Sequence, residues 1–112
     1  MRKPCNEQLC ALAQKGDEAA RELLVEKNMG FIVQTADLIY RSSSLEGSDL
    51  NIDVDDLVQE GSIGLLKAIS TYDQRIGVKF LTYAAPFIRN AMTDLVRDAF
   101  SRYEQRMVDS EN

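Results

Sequence analysis

From Thr82 to Arg106 apolar residues return at every third or fourth position: Ala84, Phe87, Ile88, Ala91, Met92, Leu95, Val96, Ala99, Phe100 and Tyr103. That is the period of an α-helix, and no β-strand runs so long. Thr82 is placed to cap this helix, and Pro86 falls late in the first turn, where its missing N–H costs less than it would further in. No stretch of the chain sustains the alternation of a strand, so the fold class read from the sequence is all-α, a compact domain of about four to five helices.

Residues 55–70, DDLVQEGSIGLLKAIS, also have helical spacing, yet they contain two glycines and an isoleucine set among polar groups. On a wheel of about 100° per residue, Leu57, Gly61, Gly64 and Ala68 form one narrow stripe, flanked by Val58, Leu65 and Ile69. This is the expected core face. Each glycine costs about 1 kcal/mol in a helix interior relative to alanine, so a neighbouring backbone is expected to come close there. The opposite side carries Asp56, Gln59, Glu60, Ile63 and Lys67, with Leu66 at the edge. An aliphatic side chain rimmed by carboxylates and an amide has the make-up of a protein interface, although single exposed apolar residues are also common.

The rest of the chain supplies shorter elements. Residues 6–15 read as a first helix with Leu9, Leu12 and Ala13 on one side, closed by Gly16. Asp17 then caps a second helix with Ala20, Leu23 and Leu24 inward. After a break near Asn28, Phe31, Ile32, Thr35, Ala36, Ile39 and Tyr40 have core spacing. Residues 42–54, rich in Ser, Asp and Gly, read as a mobile loop. At 112 residues one domain is expected over 1–112, with N-terminal helices over 1–27, a main body over 28–106 and a disordered tail over 107–112.

Charge is unevenly placed. The net charge is -5, but residues 1–73 hold 7 Lys/Arg against 13 Asp/Glu and residues 74–106 hold 6 against 3. Acid in front and base behind suit a molecule that meets a basic partner at one end and an anion such as DNA at the other, or a chain of solvating charges with no such division. The exposed row of the long helix, Arg89, Asn90, Thr93, Arg97 and Ser101, has donors for phosphates and base edges. Arg75, Lys79, Phe80 and Tyr83 lie just ahead, and cations interleaved with aromatics suit a single strand. The alternative is a solvated face with Asp94 and Asp98 paired to Arg97 and Arg102 and with Phe80 and Tyr83 in the core.

Other chemistry has little support in the residues. There is no histidine, no nucleophile beside a base and no glycine-rich phosphate loop. Asp55, Asp56 and Glu60 on a solvated face do not make a metal site, and Cys5 and Cys10 are spaced for neither a metal nor a disulfide. No cofactor is expected. The N-terminal MRKPCNEQLC lacks the apolar core of a signal peptide, and no apolar run reaches the roughly 20 residues that span a bilayer, so a cytoplasmic location is expected.

The run from Asn28 to Phe100, above all DLVQEGSIGLLKAISTYDQRIGVKFLTYAAPFIRNAM, resembles conserved region 2 of bacterial RNA polymerase sigma factors of the sigma-70 family. The resemblance implies a non-enzymatic helical domain in which one helix binds the clamp helices of the polymerase β′ subunit and the next recognises and melts the promoter minus-ten element. By this likeness Asp56, Gln59, Glu60, Ser62 and Leu66, next to Ile63, would face the polymerase. Lys79, Phe80, Thr82, Tyr83 and Phe87 would take the nontemplate strand, Asn90 and Thr93 would read the upstream end of the element as duplex, and Arg89 and Arg97 would hold phosphates. An anti-sigma factor is a further partner the family suggests. A sigma-like module that occupies the clamp helices or another regulator without opening DNA is the alternative.

The chain departs from the family pattern where primary sigma factors have an aromatic, here Val78, and two adjacent tryptophans, here Pro86 and Phe87. That fits a specialised sigma better than a housekeeping one. No helix-turn-helix of the kind found in the family's region 4 follows before Asn112, which suggests either an excised domain or a region-2-only protein acting with a second subunit.

Overall fold

The computed structural model describes residues 4–111. Among the described residues five α-helices follow one another: α1 Asn6–Gln14, α2 Glu18–Lys27, α3 Met29–Ser42, α4 Val54–Thr71 and α5 Phe80–Glu111, with a 3-10 turn at Gln74–Ile76 before the last. The domain is all-α, as the periodicity predicts.

Local chemistry sets the boundaries. Gly16, at φ 99°, ends α1 in the left-handed region that favours glycine. The Asp17 carboxylate accepts the Ala20 N–H at 3.0 Å and starts α2. Between α2 and α3 the buried Asn28 donates to the Leu24 carbonyl at 2.8 Å and to the Asn6 side chain at 3.1 Å, so the break is tied to α1. At the head of α4 Asp53 accepts the Asp56 N–H at 2.8 Å and Asp56 accepts the Asp53 N–H at 3.0 Å, a reciprocal capping box.

The core forms where α3, α4 and α5 meet. Ile32, Leu57, Leu65, Ile88 and Met92 are fully enclosed there, and α1 and α2 add Cys10 and Leu24. Gly61 and Gly64 are buried on α4's inner face, Gly61 against Met92 and Ile88 and Gly64 against the backbone of Phe87. The glycines admit α5 to close range, which is the compensation their helix-breaking cost requires.

Several sequence expectations are corrected. Leu12 and Leu23 point outward at 43% and 44% exposure, because the inner stripes of α1 and α2 are centred one residue away, on Leu9 with Cys10 and on Ala20 with Leu24. The segment between α3 and α4 is a loop, but it is anchored: Leu45 and Ile52 are buried, and Asp49 accepts a 3.4 Å hydrogen bond from the Tyr103 hydroxyl. Helix α5 begins at Phe80, so Thr82 is its third residue and not its cap, and Pro86 lies in the second turn. The helix continues through Glu111; residues 107–111, expected in a disordered tail, are helical, and Asn112 lies outside the described residues. At about 1.5 Å per residue the 32 residues of α5 span roughly 48 Å, and from Phe100 onward they stand clear of the core.

Candidate functional site

The close packing of α4 on α5 turns the remaining sides of the two helices into separate surfaces. On α4, Gln59 and Ile63 are exposed, Ile63 at 46%, and Glu60 is half-buried. Leu66, 40% exposed, lies three residues beyond Ile63 on the same side. It also lines a groove with Val25 and Met29, rimmed by Glu18, Arg21 and Glu22 of α2. Asp56 and Ser62 are less available: Asp56 is engaged in the capping box, and the Ser62 hydroxyl donates to the Val58 carbonyl at 2.9 Å. Ile63 and Leu66 therefore form a two-residue apolar ridge flanked by Gln59 and Glu60.

On α5 the exposed row is Thr82, Arg89, Asn90, Thr93 and Arg97, with Lys79 one residue ahead of the helix. Arg97 pairs with Asp94 at 3.1 Å, but both side chains are more than half exposed, and such a pair contributes little and exchanges readily. Among the described residues neither Lys79 nor Arg89 is held in an ion pair.

The aromatics do not share one role. Phe80 is completely buried, its ring edge-on to Tyr72 with centroids 5.3 Å apart. It cannot stack on a base from there, so its expected place in the strand-binding set is corrected to the core, the position the solvated-face alternative gives it. Tyr83 is half-buried, 5.0 Å from Phe87 and 5.4 Å from Tyr72 between ring centroids, and its hydroxyl shares a 2.8 Å hydrogen bond with Thr71. Phe87, also half-buried, opens onto a cavity of about 210 Å³ with Lys67, Pro86, Asn90 and Asp94. Lys67, grouped by the wheel with the outward face of α4, thus lies beside the α5 row. Its position becomes visible only once the packing angle of the two helices is known.

Connecting the two surfaces is the segment Tyr72–Lys79. Arg75 clasps Asp73 through hydrogen bonds of 2.8 to 3.1 Å, and this contact holds the Asp73 carboxyl below the usual carboxylate range. The Tyr72 hydroxyl donates to the Val78 carbonyl at 2.6 Å. Two residues of α1 reach the same segment: Glu7 accepts the Phe80 N–H at 2.7 Å, and Gln14 donates to the carbonyls of Ile69 and Tyr72 at 2.8 and 2.7 Å. Neither is legible in the sequence, because a polar residue on a short amphipathic helix gives no sign of a target 55 to 73 positions away.

The family model for sigma-70 region 2 matches residues 24–102, which include both surfaces and the segment between them. The chain belongs to the sigma-70 region 2 family. This region 2 domain is 35% identical over 91 residues to the RNA polymerase sigma-F factor of Bacillus subtilis (strain 168), which is 81% of the chain and 32% of the relative. It is 36% identical over 86 residues to the sigma-F factor of Bacillus licheniformis, 77% of the chain and 31% of the relative. It is 37% identical over 84 residues to the RNA polymerase sigma factor SigA of Lactococcus lactis subsp. cremoris, 75% of the chain and 21% of the relative. The domain thus spans about a third or less of the length of these relatives.

Sigma factors are not enzymes, and membership extends that property to this region 2 domain. Among the described residues, no group of three or more His, Cys, Asp or Glu side chains is gathered to hold a metal ion, and no helix is long and apolar enough to cross a membrane.

Proposed function

We propose that this sigma region 2 domain docks on the β′ clamp helices of core RNA polymerase through α4 and uses α5 to recognise and melt the promoter minus-ten element. The observation that carries this reading is the division of labour between two tightly packed helices: an Ile63–Leu66 ridge with Gln59 and Glu60 beside it on α4, and a separate row of Arg89, Asn90, Thr93 and Arg97 on α5. The first has the apolar centre and polar edge of a protein interface. The second has amide and hydroxyl groups suited to base edges between cations suited to phosphates.

Of the three aromatics expected to take the strand, Tyr83 and Phe87 remain available to unpaired bases. Stacking is worth about 1 to 3 kcal/mol per base, which offsets an extrusion cost of a few kcal/mol for a small number of bases. Asp56 and Ser62 sit at the margin of the polymerase face.

The test is calorimetry of the chain with the isolated β′ clamp-helix fragment, comparing wild type with a Gln59→Ala/Glu60→Ala double variant. Saturable binding that the double variant abolishes is expected. Absence of wild-type binding well above micromolar concentrations would remove the polymerase from the reading. A second reading, a module that occupies the clamp helices without opening DNA, is favoured by the burial of Phe80, which leaves two half-buried rings for stacking. Polymerase binding by an Arg89→Ala/Asn90→Ala/Thr93→Ala variant with no change in promoter opening would select it.

A further inference from the structure

Every α-helix leaves unpaired carbonyls at its C-terminus and unpaired N–H groups at its N-terminus. Here the end of α4 and the start of α5 meet across the short Tyr72–Lys79 connection, and α1 serves both. Gln14 donates its amide hydrogens to Ile69 and Tyr72 at the end of α4, at 2.8 and 2.7 Å, and Glu7 accepts from Phe80, the first residue of α5, at 2.7 Å. A carboxylate at a helix N-terminus gains from the helix dipole as well as from a charge-assisted hydrogen bond. Leu9 and Cys10, buried between these two polar residues in sequence, hold α1 against the core, and the Cys10 thiol lies 3.5 Å from the same Ile69 carbonyl.

The first turn of α5 is where this clamp acts. Phe80 is fixed by Glu7, and Lys79, Thr82 and Tyr83 surround it in sequence. The position of these three groups relative to α4 is therefore set from α1, by side chains that belong to neither proposed partner surface, although they line a cavity that Leu66 also borders.

We propose that Glu7 and Gln14 are positioning residues for strand recognition: by clamping both sides of the α4–α5 connection, α1 holds the first turn of α5 in the geometry that receives an unpaired strand. This rests on the reading of α5 as the DNA-facing helix. It predicts that the clamp matters more to the strand than to the polymerase: Gln59, Glu60 and Ile63 lie two or more turns ahead of the end of α4, and of the polymerase ridge Leu66 alone borders the cavity that Glu7 and Gln14 line.

The experiment uses the full chain assembled with core polymerase and a fluorescent single-stranded oligonucleotide carrying the minus-ten sequence, with clamp-helix affinity measured alongside. Glu7→Ala is expected to weaken strand binding about tenfold, close to the 1.4 kcal/mol that separates decades of affinity, while clamp-helix affinity stays within about twofold. Glu7→Gln, which keeps a carbonyl acceptor for the Phe80 N–H, is expected to restore most of the strand affinity. Gln14→Ala should give the same selective loss, and amide exchange at Phe80 should accelerate in Glu7→Ala while that at Leu65 is retained.

Equal losses in strand and clamp-helix affinity for both alanine variants would mean that α1 serves general stability, and would overturn the proposal. So would strand binding unchanged in both. A wild-type complex that binds no strand would overturn the reading of α5 itself, and the positioning role with it.

Discussion

The α-carbon of Gly64 faces the carbonyl of Phe87 with no room for a methyl group between the two helices. A β-carbon built there also meets the Ala91 side chain at 3.2 Å, so two fixed parts of α5 stand in its way. The contact sets the α4–α5 separation and, through it, the placement of both proposed partner surfaces.

Gly64→Ala should therefore destabilise the domain by about 2 to 3 kcal/mol, the overpacking cost outweighing the roughly 1 kcal/mol that alanine gains in helix propensity. Gly61→Ala should cost less. Its nearest obstacle is the terminal methyl of Met92, the end of a flexible side chain, although Ile32 and Ile88 at 3.2 and 3.3 Å limit the relief. Urea unfolding of the two variants gives the comparison, and equal losses would show that the Phe87 backbone yields more easily than the packing implies.

Phe80 and Phe87 should separate stability from strand binding. Phe80→Ala removes a completely buried ring from its contact with Tyr72 and is expected to lose about 3 to 5 kcal/mol of stability. Phe87 is half-buried beside Tyr83, so Phe87→Leu should keep most of the stability while weakening strand binding, by up to about tenfold for one lost stacking surface. Thermal melting and oligonucleotide titration of the same samples distinguish the two effects.

The helices were legible in the sequence because periodicity and caps are local. Leu57, Gly61, Gly64 and Ala68 show the inner face of α4 by spacing alone, and Asp17 announces α2 by chemistry its own first turn completes. What escaped depends on distant partners. Nothing within the first turn of α5 reveals that its N-terminus is closed by Glu7, 73 residues earlier, so Thr82 was the nearest candidate cap. The same applies to the sites. Phe80 lies on the buried stripe of α5 with Ala84, Ile88 and Met92, whereas Phe87 is one residue off it and reaches the surface, a difference that shows only once the face of α5 packed on the core is known. Outward residues of α4 were separable because one wheel suffices; Lys67 was not, because its neighbours Phe87 and Asn90 belong to another helix.

The loop between α3 and α4 should be held by its apolar anchors more than by its polar contact. Leu45 is 3% exposed, whereas the Tyr103–Asp49 hydrogen bond is 3.4 Å long and exposed. Leu45→Ala should lower stability by about 2 to 4 kcal/mol and speed proteolytic cleavage within residues 43–53. Tyr103→Phe should leave both nearly unchanged, within about 0.5 kcal/mol. Faster cleavage in Tyr103→Phe alone would reverse that assignment.

The two cysteines should differ sharply toward a thiol reagent. Cys5 is exposed, so it should be labelled in the native domain at mildly alkaline pH; Cys10 is enclosed and its thiol is pushed up to about 11, by burial first and by the Glu7 carboxylate second. Since the thiolate is the reactive form, Cys10 should react only as the domain unfolds. The same shift has a direction in pH. An unfolded thiol releases its proton near its ordinary value of 9.0, whereas the folded one holds it to about 11, so between these values the unfolded state binds fewer protons. Stability from this group is thus fully present below pH 9 and declines as pH rises toward 11. Burial raises the Tyr72 hydroxyl as well and adds a decline of the same sign. Urea midpoints measured from pH 8 to 11 should fall for the wild type, and the slope should flatten in Cys10→Ala while keeping the part that Tyr72 contributes. An unchanged slope in Cys10→Ala would assign the alkaline loss to Tyr72, leaving the buried thiol without a measurable part in it.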